Sequence, residues 1–498
     1  MNLNKHFQNT VLFSFCFFLI VIITGTIPLM LNITIGNSAN KSFFVLLSFF
    51  MVFSLMLILR GCFRRIENMD EKSLYSTTLF IFAMMAGIYF ILLYSFDIRP
   101  QTDEYHVIDT AAYLLDNPRF MPDNLHSGSL GIFKNNYTLV LMYSQFIRFL
   151  FWFGIKNILI PIRMLNVACI MGSFLLTWLI TKDVRGIRAA VKVILLCALN
   201  PLAYGLTFWA YSNTFSMPIM MGIIYAAVRF HKAPKTLRAC IWYGIIEGIL
   251  FVLGYEIRVT AIFPVVAIVI CVLQQMMTDT SNLQIKIYKK YKPIFVLALV
   301  MCCVTVIGFA GINHIKATHF KDVYYMNYPI SYWLMMGSHG SGGISTNADD
   351  LVFMRETGNS FEAAMRETIN NYREMGVSGT LTFWYRMIVN TWADGYSSIN
   401  ERMKAGQNNL FLWQLTSGPQ RHLFRLYAQS FRLIIVFGDL LCGIFVLKQE
   451  RKSKIIWMLI LTMAGAFLFY LFWEKKDVYS APFLPIMFIL RSEERRVG

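Results

Sequence analysis

Apolar residues run through this chain in blocks of about 17–25 positions, a length that carries a helix across a bilayer. The blocks fall at 11–31, 43–59, 77–96, 137–154, 159–180, 190–208, 213–229, 240–255, 258–275, 294–312, 430–447 and 455–472. A shorter run follows at 479–490, and two polar stretches, 97–136 and 314–427, interrupt the series. The pattern predicts an all-α polytopic membrane protein of about 12 transmembrane helices, the last one cut short. Its run of about 12 residues gives about 18 Å of helix against a hydrocarbon core of about 30 Å. No small-residue cleavage site follows the first run, so that run is expected to be a retained span.

Composition agrees. The apolar set without glycine makes up 56% of the 498 residues and charged residues 15%, where a soluble chain has about 45–50% with glycine included and about 25%. Mean hydropathy is +0.53. A soluble multidomain, disordered, collagenous or disulfide-rich protein is excluded. The net charge of +17 sits in short clusters between apolar runs, as in loops facing anionic lipid. No basic module with interleaved aromatic residues argues for nucleic acid. The nine cysteines lie in apolar runs or beside basic loops, without disulfide or zinc spacing.

The clusters also set the sides. They are Arg60/Arg64/Arg65/Lys72, Lys182/Arg185/Arg188, Arg229/Lys232/Lys235/Arg238, Lys286/Lys289/Lys290/Lys292 and Lys448/Arg451/Lys452/Lys454. All five share the inner side only if 137–154 does not cross. That run carries Arg148 near its middle, and a charge at mid-bilayer costs at least about 2.5–3.5 kcal/mol. It is therefore expected to lie along the outer face as an interfacial helix. The expected organisation is N-terminal helices 1–96, a first outer loop 97–157, a membrane core 158–313, an extracytoplasmic α-rich domain 314–427, C-terminal helices 428–490 and a non-native tail 491–498. The outer domain has ten Lys/Arg and nine Asp/Glu, and helical pieces are expected near 361–375 and 379–392. Trp209, Trp333, Trp384, Trp392, Trp413 and Trp473 are expected outside or in an interfacial belt.

The first outer loop holds the candidate chemistry. It reads Arg99-Pro100-Gln101-Thr102-Asp103-Glu104-Tyr105-His106, followed by Val107, Ile108, Ala111, Ala112 and Leu115 at helical spacing. An amphipathic helix is predicted over 104–116. Asp103 and Glu104 stand at its N-terminus, where the helix dipole favours an ionised carboxylate. Such an acid can take a proton from a hydroxyl; on spacing alone, Thr102 or Asp103 is equally readable as a plain N-cap.

Topology and loop together resemble the GT-C superfamily of membrane glycosyltransferases, which includes protein O-mannosyltransferases, the aminoarabinose transferase of lipid A and related Gram-positive envelope enzymes. Asp103-Glu104 is similar to the family's acidic pair, and Lys134-Asn135-Asn136-Tyr137 to its Tyr-Pro-Asn-Asn element. Asn200-Pro201, Tyr211-Ser212-Asn213-Thr214, Arg258-Val259-Thr260 and Trp392-Ala393-Asp394-Gly395 follow in the family's order, and Glu474 through Tyr479 with Pro482 resembles its last outer turn. Asn213 stands where many members have Asp, and Lys475 and Lys476 where an Arg is frequent.

The resemblance implies sugar transfer from a polyprenyl-phosphate donor to an envelope glycan, teichoic acid, lipid or protein, on the outer face of a Gram-positive cell membrane. It implies inversion at the sugar, no cofactor and no metal, and a functional link to a lipid-phosphate sugar synthase and a flippase. Asp103 would be the general base and Glu104 its assistant. Arg258, Lys475 and Lys476 would meet the donor phosphate. His106, Asn135, Asn136, Tyr211, Asn213, His339 and Glu474 would meet substrate. Other readings stay open for several residues: Arg258 as an anchor paired with Glu256, the two lysines as snorkelling cations, His106 as merely interfacial. The glycine-rich loop Ser338-His339-Gly340-Ser341-Gly342-Gly343 lacks the Lys-Ser/Thr end of a P-loop and reads as a cover for the site. Glu247 and Asp439, inside spans, are expected to hydrogen-bond between helices. The rival functions are a polymerase or ligase using a lipid-diphosphate donor, and a lipid-sugar flippase or transporter.

Overall fold

The computed structural model describes residues 2–35, 41–95, 100, 102–117, 119, 136–234, 236–279, 284–320, 328–343, 348–396, 411, 413–414, 418, 420–449 and 453–492. Among the described residues the fold is helical without strands. The first half comprises α1 Asn2–Ile35, α2 Lys41–Glu67, α3 Glu71–Ser95, α4 Thr102–Asp116, α5 Tyr137–Trp152, α6 Leu159–Arg185, α7 Ile187–Leu199, α8 Pro201–Gly205 and α9 Ser212–Lys232. The second half comprises α10 Leu237–Ile257, α11 Ile262–Asp279, α12 Gln284–His319, α13 Ile330–Met336, α14 Ala348–Glu356, α15 Phe361–Ile388, α16 Arg421–Lys448, α17 Lys454–Phe469 and α18 Leu484–Arg491.

Eight of the described helices are long and apolar enough to cross a membrane, and a ninth if the bent pair α7 and α8 counts as one span. α9, α17 and α18, expected to cross, fall outside that length-and-composition group for local reasons. α9 opens on Ser212, Asn213 and Thr214 and ends on Arg229, His231 and Lys232, which dilutes its apolar character. α17 has 16 residues, and α18 has eight, preceded by a 3-10 turn at Asp477–Phe483. The bend of 56° between α7 and Pro201–Phe208 sits at Asn200-Pro201. Proline removes a backbone donor and starts a helix well, while the Asn200 side chain accepts the Leu202 N–H at 3.3 Å.

α5 is not among the crossing candidates. It packs on α4 through Leu139, Val140, Tyr143 and Ile147 against Val107, Ile108, Ala111 and Leu114. The Arg148 guanidinium donates to the Leu114 carbonyl at 3.0 Å, one of the acceptors a helix C-terminus leaves open. The charge that argued against a span thus ties two short helices together.

Large apolar side chains lie outward on α1–α3 and α10–α12, Phe13, Leu79, Val306 and Ile307 among them. Water would not tolerate such a belt; hydrocarbon does. Inside, α10 and α12 meet across glycine. A Cβ on Gly248 would stand 2.8 Å from Val304 Cβ, and one on Gly244 would stand 2.9 Å from the Leu297 carbonyl oxygen. Gly244 and Gly248 form the small-xxx-small spacing that lets helix backbones approach where no hydrophobic force drives them together. Glu247 lies between these two glycines and is buried, yet its Oε2 has no hydrogen-bond partner among the described residues. Neither carboxylate oxygen of buried Asp439 has one either. The expected interhelical hydrogen bonds of these two acids are therefore not formed at those atoms.

α15 breaks at Gly376, whose φ of 61° is left-handed, close to where the two helical pieces were expected to part. It runs on into a π-helical turn, Val389–Ala393. That turn places Trp392 in the interior at 0% exposure, packed on Phe467, Tyr470 and Phe483. Trp392 is a core residue and not part of an interfacial belt.

Candidate functional site

α4 delivers the acidic pair in two directions, because neighbouring helical positions face about 100° apart. Glu104 turns inward, 2% exposed, and accepts the Ala210 N–H at 3.1 Å. The carbonyl of the same residue accepts the Tyr143 hydroxyl at 2.7 Å. Glu104 thereby fixes the strand-like link before α9 to the α4–α5 layer. Asp103 turns outward and receives the Lys476 ammonium at 3.2 Å.

Lys476 comes from the turn after α17. Aromatic stacking holds that turn: Phe469 on Trp473 at 4.7 Å and Trp473 on Trp333 at 5.9 Å. Gly337 is where the α13 loop touches it, since a Cβ there would lie 2.7 Å from the Trp473 carbonyl carbon. The glycine-rich loop continues the contact, its Gly342 carbonyl accepting the Lys475 N–H at 2.7 Å. The loop thus lies directly on the turn. Within it His339 contacts Asp350 at 2.9 Å, and that hydrogen bond raises the imidazole above its ordinary pKa against the opposing effect of burial.

Glu474, 2% exposed, faces the same ammonium at 3.7 Å and accepts the Tyr479 hydroxyl. Burial raises the Glu474 carboxyl above its ordinary range, opposed by Lys476 and the Tyr479 hydroxyl. Burial alone would lower the Lys476 ammonium, but Glu474 and Asp103 outweigh it and hold the pKa up. One cation is therefore shared by two acids, one deep and one at the opening. Lys475 has no carboxylate within ion-pair distance among the described residues; burial and Arg386 lower its pKa, partly offset by Asp477.

Tyr479 links this triad to Arg258. The guanidinium lies 4.4 Å from the centre of the Tyr479 ring, a cation–π contact, and donates to Ser212 Oγ and to the Tyr470 hydroxyl, both at 3.3 Å. Tyr470 and Tyr479 are themselves stacked at 5.5 Å. Glu256 is engaged elsewhere, by Lys316 and by the Thr138 hydroxyl at 2.7 Å. The reading of Arg258 as an anchor paired with Glu256 is thus replaced: the two side chains have separate partners.

Of the remaining sequence candidates, Asn136 accepts the Tyr211 hydroxyl at 2.8 Å. Asn213 is wholly buried, and neither atom of its amide has a partner among the described residues. His106 has its Nδ1 buried and unpartnered among them. Asn135 lies outside the described residues. Sequence reasoning did not single out Tyr470 or Asp350. Tyr470 ends an apolar run with nothing to mark it, and Asp350 is one of two acids in the first turn of α14. Among the described residues no group of three or more His, Cys, Asp or Glu could hold a metal ion.

No curated protein matches the chain. Among solved structures, the archaeal oligosaccharyltransferase AglB from Archaeoglobus fulgidus, in complex with an inhibitory peptide and a dolichol-phosphate, is similar with a TM-score of 0.46 at 13% identity, over 85% of this chain and 50% of that one. The chain spans about half the length of that protein. Residues 2–495 match the family described as conserved hypothetical integral membrane protein, and the chain, an all-α integral membrane protein, belongs to that family.

Proposed function

We propose that this protein is a membrane glycosyltransferase of GT-C type, moving a sugar from a polyprenyl-phosphate donor to an envelope acceptor on the extracytoplasmic side. The observation that carries the reading is the contact of Asp103 and Lys476 at 3.2 Å: a base and a cation side by side at the mouth of a buried polar network. Sugar transfer from a lipid phosphate needs both. The acceptor hydroxyl loses its proton to a carboxylate. Its oxygen bonds to the anomeric carbon while the bond from that carbon to the phosphate oxygen breaks, and the electron pair stays on the phosphate. A preorganised cation lowers the barrier by meeting that growing charge. A single displacement of this kind inverts the anomeric carbon.

The two halves are coupled on this reading. While Lys476 holds Asp103, the carboxylate is already engaged. A donor phosphate arriving at Lys476, Lys475 and Arg258 would draw the ammonium away and leave Asp103 free to accept a proton. Glu474 keeps Lys476 charged, and Arg258 is placed by Tyr470 and Tyr479. Glu104 positions the Ala210 backbone, and so the Tyr211–Asn136 pair that follows it. On this reading His106 and the His339 loop would meet acceptor or donor sugar, whereas Asn213 is wholly buried and does not line the opening.

The test is transfer from a polyprenyl-phosphate sugar in proteoliposomes. Asp103→Asn should abolish it while the protein still inserts and melts as the parent does. Near-normal turnover in that variant would remove Asp103 from the chemistry.

A further inference from the structure

A second polar cleft opens at the other end of the helix bundle. Its distance from the site follows from the chain. α16 ends at Lys448 on the cleft, α17 begins at Lys454, and α17 then climbs 16 residues, about 24 Å, to deliver Tyr470 to the Arg258 network. The cleft has a volume of about 930 Å³ and lies between α2, α7, α16 and the end of α18. Arg60, Arg64, Lys192 and Lys448 line it, together with Arg491 at the start of the tail expected to be non-native, and no carboxylate is among its described lining residues. Lys192 is already engaged by Glu67 just outside the cleft, and Arg491 packs across Gly438. Arg60, Arg64 and Lys448 are exposed.

The rest of the wall is apolar: Phe53, Met56, Leu57, Leu441, Ile444 and Phe445. Phe53, Leu57 and Ile444 are exposed on the outer face of their helices, within the spans of α2 and α16. The cleft therefore grades from hydrocarbon-facing side chains to a cluster of cations over about three turns of α2. That gradient matches a molecule with an acyl chain and an anionic head, and the volume is far more than inorganic phosphate would fill. We propose that this cleft binds an anionic phospholipid, with its chain along Phe53, Leu57 and Ile444 and its net-negative headgroup on Arg60, Arg64 and Lys448. The site stands apart from the transfer reaction and does not depend on it.

Native mass spectrometry of the full chain, released from nanodiscs of mixed phosphatidylglycerol and phosphatidylcholine, tests the proposal. Phosphatidylglycerol should be retained over phosphatidylcholine. The triple variant Arg60→Gln/Arg64→Gln/Lys448→Gln should weaken that retention roughly 100-fold, at about fivefold per charge. Ile444→Trp, which fills the apolar wall and leaves every cation in place, should weaken it too, so a triple variant that failed to fold would still leave the idea exposed to test. Glycerophosphate at millimolar concentration should not displace the lipid. Equal retention of the two lipids would overturn the proposal. So would unchanged retention in both the folded triple variant and Ile444→Trp. Full displacement by glycerophosphate would mark a site for free phosphate and overturn it as well.

Discussion

Lys476 is the one residue whose removal tests the electrostatics of the site directly. Changed to Gln, it leaves Glu474 with the Tyr479 hydroxyl and the field of Arg258 as its remaining support, in a place where the carboxylate is 2% exposed. Removing one partner of a fully buried pair costs about 3–5 kcal/mol; an exposed pair is worth about 0–1 kcal/mol. Lys476 is itself 35% exposed, so solvent screens part of the effect, and about 1–3 kcal/mol is expected for Lys476→Gln. Asp103, 24% exposed, has water to fall back on and adds little. The penalty arises from an uncompensated charge, so neutralising that charge should remove it. Glu474→Gln placed on Lys476→Gln should recover most of the lost stability, giving a coupling of about 1–3 kcal/mol between the two positions. Reversible unfolding of the four proteins in the same mild detergent measures the cycle. Additive losses would show that the ammonium and the deep carboxylate do not sense each other, and would dissolve the shared-cation description. Sugar transfer should fail in the single and the double variant alike, because the double restores stability without restoring a cation.

Three further outcomes follow from the packing. Gly248→Val must displace Val304 or the Met301 carbonyl, 2.8 and 3.1 Å from the added Cβ, and should cost about 1–3 kcal/mol; unfolding in mild detergent reads it, and an unchanged midpoint would refute the close α10–α12 contact. The raised pKa of His339 means that its contact with Asp350 stabilises fully below the ordinary value of about 6.5 and is lost as pH rises through the raised value. Protease cutting within 338–343 should therefore increase with pH in the parent and show little such change in His339→Gln, and parallel profiles would discard the contact. Arg432 donates to the Trp392 carbonyl through two nitrogens, at 2.7 and 2.8 Å, so Arg432→Lys, which cannot fork, should lose about 1–3 kcal/mol; equal melting of the two proteins would count against that grip.

The sequence made the helices legible wherever a single periodicity decided them. Val107, Ile108 and Ala111 announced the buried face of α4, and Arg148 marked α5 as different from the long apolar helices. It was a poorer guide to helices with polar ends: α9 begins with Ser212, which meets Arg258, and with Asn213 and Thr214, and so falls short of the apolar average. The pairing at the centre of the site was not legible at all. Asp103 and Lys476 stand 373 positions apart, and no local pattern connects an acid at a helix N-terminus to a lysine in a turn near the other end of the chain. Only the resemblance of each short segment to the same family hinted that they meet. Glu104 shows the limit of that hint: next to Asp103 in sequence, it spends its carboxylate on a backbone N–H.

Trp392-Ala393-Asp394-Gly395 illustrates how a motif can shape the site from the core. Its tryptophan is buried behind Tyr470, at 5.9 Å between ring centres, and Tyr470 in turn receives Arg258. The turn is held from behind by Arg432 on the Trp392 carbonyl and by Gln429, whose amide donates to the Ala393 carbonyl at 2.6 Å and accepts the Gly395 N–H at 2.9 Å. Gly395 permits this approach, because a Cβ there would lie 2.4 Å from the Ala428 carbonyl oxygen. A π-helical turn leaves backbone groups without regular partners, and side chains of α16 supply them. The chain of contacts runs from α16 through the tryptophan to the tyrosine and the guanidinium, so the aim of the cation at the far end depends on a backbone that never reaches the opening. On the proposed reading Arg258 meets a donor phosphate, and a charge with that task must be held nearly still; packed aromatic rings in the core do the holding.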